Sequence, residues 1–159
     1  MRIEEPADRP ELAAGTPAAV ETISPLTADE RLAIQHNAAL VGDFLEAFVK
    51  LPDADSRLQD LDSGFAAWLL ADDKLGYSTE AVVEIVGAAF GEYCATTLEV
   101  RWVKILDDDG EAVALQGIER DVRGFPFHTI AQRILRAEHG FFLPIYLLLK
   151  HSLTTSGAV

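Results

Sequence analysis

The stretch from Ser78 to Gly117 constrains the fold most, because it joins a helix that is apolar on nearly every side to a β-hairpin. A helix with apolar residues all round is typical of a protein interior. Ser78 or Thr79 can cap its first turn, where Glu80 is also favourably placed. We therefore expect a central buried helix, whose apolar residues include Val82, Val83, Ile85, Val86, Ala88, Ala89, Phe90 and Cys94.

Two glycines, Gly87 and Gly91, lie four residues apart in this helix and therefore on one face. Each glycine inside a helix costs about 1 kcal/mol relative to alanine. Two such costs indicate a compensating close contact on that face. We expect another helix or the sheet backbone to cross there at short range.

The hairpin that follows is predicted from a β-branched and aromatic run, Leu98 to Leu106, and from the turn sequence at 107–110. Two registers fit the pattern. An Asp109-Gly110 turn sets Lys104 opposite Leu115, whereas a bulge at Gly110 sets Ile105 opposite Val113 and Val103 opposite Leu115. We favour the bulge, because it pairs large apolar side chains on one face. Trp102 then points to the other face.

The remaining segments indicate one α+β domain over residues 27–151, with flexible segments at 1–26 and 152–159. A capping box at Thr27 and Glu30 predicts a helix that ends at about Lys50. Further helices are expected over 55–71, from about Thr129, and from about Pro144, with a short third strand over 122–125. The expected fold is four to five helices packed on a small antiparallel, mostly three-stranded sheet.

The charge of the chain is acidic and unevenly spread. The 159 residues carry a net charge of −13. Residues 1–96 contain 18 acidic and 6 basic side chains, whereas residues 97–159 contain 8 and 7. An acidic surface repels phosphate groups, so nucleic acid and membranes are not expected as partners. We expect any partner to be another protein that contacts the acidic N-terminal helices; the oligomeric state is left open.

No motif for a metal, a nucleotide or a catalytic nucleophile is present, so no cofactor, metal or catalytic residue is predicted. Cys94 lies among apolar residues, which favours a buried and inert thiol. The longest apolar run, 141–149, is shorter than the roughly 20 residues that a membrane-spanning helix needs. A cytoplasmic location is the default expectation.

One cluster could bind a phosphate or a carboxylate through guanidinium groups. Its members are Arg120, Arg123, His128 and Arg133. The other interpretation is that these arginines form ion pairs with Glu119, with Asp121 or with the acidic first half of the chain. The second interpretation is favoured.

Three short patterns, GAAFGEYC at 87–94, RWVKILDDDG at 101–110 and FPFHTIAQRI at 125–134, together resemble a bacterial domain family of unknown function, DUF3806. The resemblance covers roughly residues 58–150 and implies an α+β fold, but it supplies no catalytic residues. We assign structural roles to Gly87, Gly91, Trp102, Gly110 and Pro126. The main functional hypothesis is a non-catalytic interaction module with an acidic helical face. The alternative is a small-anion-binding protein or enzyme that uses the cluster at 120–133.

Overall fold

The computed structural model describes residues 20–50, 52 and 57–155. The fold is α+β, as predicted. In chain order the elements are β1 (Thr22–Pro25), α1 (Ala28–Ala39), α2 (Val41–Phe48), α3 (Arg57–Leu70), α4 (Thr79–Thr97), β2 (Val100–Asp107), β3 (Gly110–Gly117), β4 (Arg123–Gly124), α5 (Pro126–Arg136) and α6 (Phe142–Thr155). With α1 and α2 taken as one helix interrupted at Leu40, five helices pack on a four-stranded sheet in this part of the chain.

The strand that the sequence did not predict is β1, at the edge of the antiparallel sheet, whose order is β1-β2-β3-β4. It runs from Thr22 opposite Leu106 to Pro25 opposite Val103. The expected flexible segment 1–26 is therefore corrected at 22–25, and its residues 1–19 lie outside the described residues. Pro25 favoured a loop, but the last residue of an edge strand tolerates the missing N–H group. Similarly, α6 includes residues 152–155, and residues 156–159 lie outside the described residues.

The hairpin between β2 and β3 adopts neither register expected from the sequence. Asp107 pairs with Gly110, so the turn consists of Asp108 and Asp109. The Asp107 carboxylate accepts a hydrogen bond of 2.9 Å from the Asp109 N–H, which closes the turn locally. Gly110 has a φ of +124°, a conformation that favours glycine. The observed pairs include Trp102–Leu115, Val103–Ala114, Lys104–Val113 and Ile105–Ala112.

Helix α4 forms the centre of the core, as its all-round apolar pattern predicts. The Ser78 hydroxyl caps it by accepting a hydrogen bond of 3.1 Å from the Ala81 N–H. Most of its apolar side chains are buried, and the core they enter also contains Phe65 of α3 and Phe142 of α6. Phe142 makes an edge-on contact with Phe90 at a centroid distance of 5.2 Å. Burial of each such ring contributes on the order of 2–3 kcal/mol.

The starts of helices α1, α5 and α6 show how their first turns are stabilised. The Thr27–Glu30 box is confirmed, with reciprocal backbone-to-side-chain hydrogen bonds of 2.8 and 3.1 Å. The expected start of α5 at Thr129 is wrong, because Pro126 already occupies the first turn, where its missing N–H costs nothing. At the start of α6, the Phe142 N–H donates a hydrogen bond of 3.0 Å to the half-buried Asp62 carboxylate.

Candidate functional site

A stacked pair of aromatic rings, Trp102 of β2 and Phe127 of α5, occupies the face of α4 that carries the two glycines. The ring centroids are 5.7 Å apart and the planes differ by 29°. A Cβ atom on Gly87 would lie 2.7 Å from the Phe127 ring, and one on Gly91 would overlap the Trp102 indole. The predicted close contact is thus present. At Gly87 it is made by another helix, α5, through the ring and the Cα atom of Phe127, and at Gly91 it is made by the Trp102 side chain rather than by the sheet backbone.

On the Trp102 side of the stack lies a cavity of about 600 Å³, which we call the cleft. It is lined by β1, the first turns of α1, the end of α4 and the start of β2. The Trp102 indole N–H donates a hydrogen bond of 2.7 Å to the Glu92 carboxylate, which fixes the ring against this wall. The polar side chains of the cleft are Ser24, Arg31, Gln35, Glu92, Thr96 and Arg101.

On the Phe127 side lies a more open cavity of about 540 Å³, which we call the groove. It is bounded by α1, α4, β3 and the first residues of α5. Half-buried apolar side chains form its floor, namely Val83, Val113, Phe125 and Phe127. Its polar residues are Glu30, Asn37, Glu84 and His128. The groove is therefore apolar at its floor and acidic at its rim.

The rim of the groove contains one ion pair, which links α1 to the sheet. Lys104 of β2 lies 2.9 Å from a carboxylate oxygen of Glu30 and 3.8 Å from one of Glu111. Hydrogen bonds from the Thr27 backbone and from Lys104 lower the pKa of Glu30. The same contact with Glu30 raises the pKa of Lys104. Exposed Glu84 has no cationic partner among the described residues, so the rim keeps an uncompensated negative charge.

Two of the arginines proposed as anion ligands form ion pairs instead. Both terminal nitrogens of Arg123 contact the two oxygens of Glu21, each at 2.8 Å. This bidentate contact, with burial opposing it, raises the pKa of Arg123. Arg133 donates a hydrogen bond of 2.9 Å to Glu138 and lies 5.0 Å from the Phe141 ring centroid. The Glu21 contact agrees with the ion-pair interpretation, which expected partners in the acidic first half, whereas Glu138 was not among the partners expected.

The other two members of the predicted cluster do not complete a shared pocket with them. Arg120 also has an interaction partner, and His128 faces the groove rather than Arg123 or Arg133. Burial and the nearby positive charge of Arg136 lower the pKa of His128. His128 is therefore expected to be neutral at pH 7 and to act there as a hydrogen-bonding group of the groove.

The remaining features considered from the sequence are the single cysteine, a metal site and a membrane-spanning helix. Cys94 is fully buried, and this burial raises the pKa of its thiol to about 12, as expected for an inert cysteine. No group of three or more His, Cys, Asp or Glu side chains in the described part of the chain is arranged to hold a metal ion. None of the helices described is both long and apolar enough to cross a membrane.

Local sequence patterns do not indicate that Arg31 and Arg101 line the same cleft. They are 70 positions apart in the chain, and each looks like an ordinary surface arginine in its own segment. To predict this cleft from the sequence, one would need to know that the start of α1 and the start of β2 border the same cavity. Strand β1 also borders the cleft, and the sequence predicts a flexible segment at that position.

Comparison with known protein families gives a match over the central part of the chain. The family described as "Domain of unknown function (DUF3806)" matches residues 65–146, just over half of the chain. No curated protein and no solved structure gives a match. The matched span contains both glycines of α4 and both rings of the stack, the same residues on which the resemblance was based. The chain therefore belongs to the DUF3806 family.

Proposed function

We propose that the chain is a non-catalytic interaction module whose acidic helical half holds a basic segment of another protein. The observation that carries the proposal is the groove, since its apolar floor can accept an apolar side chain while its rim is acidic. A partner segment with an apolar residue flanked by Lys or Arg complements both features. We also propose that the protein acts in the bacterial cytoplasm, but the test of the interaction does not depend on this location.

The charge around the groove supports this choice of partner. Glu80 lies one helical turn before Glu84 on α4, and both side chains are exposed. Asp29 is exposed in the first turn of α1, directly before the residues that line the groove. A basic segment would therefore meet several carboxylates close to the apolar floor, and its approach would be accelerated at low ionic strength.

The ion pairs of Arg123 and Arg133 do not favour the alternative, an anion site or enzyme at residues 120–133. A ligand there would have to displace Glu21 from Arg123 and Glu138 from Arg133 before it gained a contact. Each displaced carboxylate would have to be rehydrated or paired again, which offsets the gain from the new contact. The interaction module is the function that the contacts support best.

The test is selection of peptides from a displayed random library on the immobilised protein, followed by calorimetric titration of the enriched sequences. We expect enrichment of peptides with an apolar residue next to Lys or Arg. Glu84→Lys should weaken their binding by about tenfold. Glu46→Lys, the same change at an exposed position of α2 outside the groove, should have little effect. Binding should also weaken as salt is added, because surface charges are screened.

A second matched pair tests the shape of the groove. Ala33→Arg places a long cationic side chain in the groove, whereas Ala47→Arg makes the same change at an exposed helical position of α2. Binding should be lost in the first variant and kept in the second. Equal affinity for both variants, or enrichment of acidic or uncharged peptides, would count against the proposal.

A further inference from the structure

The cleft lies where the edge strand β1 leaves the sheet. The strand β1 pairs with β2 only over Val103–Leu106, and the chain then turns at Leu26 into α1. The preceding residues 100–102 of β2 therefore have no strand partner on this side among the described residues. The space that remains is closed by the start of α1 and the end of α4. Its volume of about 600 Å³ lies within the range of small-molecule sites.

Two arginine side chains line this cleft without a carboxylate partner. Arg31 comes from the first turn of α1 and Arg101 from the unpaired start of β2. Within the part of the chain that the structure describes, neither guanidinium group takes part in an ion pair or side-chain hydrogen bond. Arg123 and Arg133, by contrast, are both paired with carboxylates.

The rest of the cleft supplies hydrogen-bonding groups and an apolar wall. Gln35 and Thr96 provide an amide and a hydroxyl group beside the arginines. The Trp102 indole is held by its hydrogen bond to Glu92 and by the space that Gly91 leaves, so its position is fixed before any ligand arrives. A rigid wall costs little conformational entropy on binding.

We propose that the cleft binds a small organic anion. Its carboxylate or phosphate group would be held by Arg31 and Arg101, and an apolar or aromatic part would lie against the Trp102 indole. Guanidinium groups bind both kinds of oxyanion through paired hydrogen bonds, so this shared chemistry defines the ligand class. The proposal concerns a different cavity and ligand from the groove and does not depend on the interaction proposed there.

The test is calorimetric titration of the full chain with phenyl phosphate and with benzoate at constant ionic strength. Saturable one-to-one binding of at least one probe is expected, and the better probe tells which oxyanion the arginines prefer. Arg31→Gln and Arg101→Gln should each weaken that binding by about tenfold or more, and the double variant should abolish it. Arg136→Gln, which removes the same charge at an exposed position outside the cleft, should leave the affinity unchanged.

Two further readouts separate a built site from general charge attraction. Inorganic phosphate, which lacks the aromatic ring, should bind more weakly than phenyl phosphate if the indole wall contributes. Binding should also quench tryptophan fluorescence in the wild type and not in Trp102→Phe, since the other tryptophan, Trp68, is buried outside the cleft. The proposal is overturned if neither probe binds saturably at about 10 mM, or if Arg136→Gln weakens binding as much as Arg101→Gln.

Discussion

The cleft and the groove lie on the two sides of one stacked pair, yet they differ in charge. Trp102 lines the cleft together with two unpaired arginines and the Glu92 carboxylate that its indole N–H contacts, whereas Phe127 lines the groove together with Glu84 and with Glu30, which is paired with Lys104. The two cavities are similar in volume. Their difference therefore lies in which charges the fold leaves uncompensated, and it predicts ligands of opposite sign.

The arginines show the same contrast within one residue type. Arg123 and Arg133 are held by carboxylates, and Arg133 finds its partner only five residues along the chain. Arg31 and Arg101 come from distant segments and line the same cleft. Clustering of basic residues in the sequence is thus a poor guide to an anion site, because neighbouring acidic residues neutralise such a cluster locally.

The largest effect is expected from Gly91→Ala, because this change acts on the stacked pair, of which Trp102 lines the cleft and Phe127 lines the groove. The added methyl group would overlap the Trp102 indole, so the ring or the helix has to move. Overpacking of this kind costs about 1–3 kcal/mol, which exceeds the gain of about 1 kcal/mol in helix propensity. We expect a lower melting temperature by thermal denaturation and weaker ligand binding in both cavities.

The matched control for this change is Gly42→Ala in α2, where nothing lies within 4 Å of the added methyl group. It should leave the melting temperature unchanged or raise it by a few degrees. Gly87→Ala should fall between the two, because its methyl group meets the edge of the Phe127 ring at 2.7 Å. A stable Gly91→Ala variant with intact binding would show that the stack does not support the cavities.

The packing around helix α4 was predicted from the sequence better than the hairpin register and the edge strand β1 were. The buried helix α4 and the two glycines at close contacts follow from local periodicity and from the cost of glycine in a helix. The register of the hairpin does not, because it depends on a turn closed by the Asp107 side chain. The strand β1 was missed because its four residues pair with β2, a partner whose residues lie 78 to 84 positions further along the chain.

The candidate sites were predictable to a smaller degree than the fold. Acidic character was evident from composition, and it is the basis on which the helices bordering the groove are proposed as a partner surface. The groove itself required the relative positions of α1, α4, β3 and α5, which no local pattern specifies. Prediction of the cleft also requires the position of β1, which lines it. Sites that form between elements distant in the chain remain invisible to local patterns even when each element is predicted correctly.

The second prediction separates the paired arginines from the free ones by their effect on stability. Arg123→Ala breaks a bidentate contact with Glu21 between partly buried groups, which should cost about 0.5–1 kcal/mol. Arg101→Ala breaks no ion pair and should change the free energy of unfolding by less than about 0.5 kcal/mol. Denaturant titration of the two variants measures the difference. A larger loss for Arg101→Ala would mean that it has a structural role instead.

The smallest effect concerns pH and distinguishes the groove from the cleft, since His128 lines the groove and no histidine lines the cleft. Burial and Arg136 lower the pKa of His128 in the folded chain below its ordinary value of 6.5. The folded state therefore disfavours the protonated form. His128 therefore does not change the free energy of unfolding above about pH 6.5. As the pH falls below that value, protonation of His128 in the unfolded chain lowers the free energy of unfolding.

The measurement is the melting temperature between about pH 7.5 and about pH 5.5, a range in which histidine is the main group that titrates. The wild type should lose more stability on acidification than His128→Gln, which keeps a polar side chain but cannot become charged. His36→Gln, at an exposed position of α1, serves as the control and should behave as the wild type does. If His128→Gln and the wild type respond equally to acid, protonation of His128 is not penalised by the fold, and the groove can accept a charged imidazole next to its acidic rim.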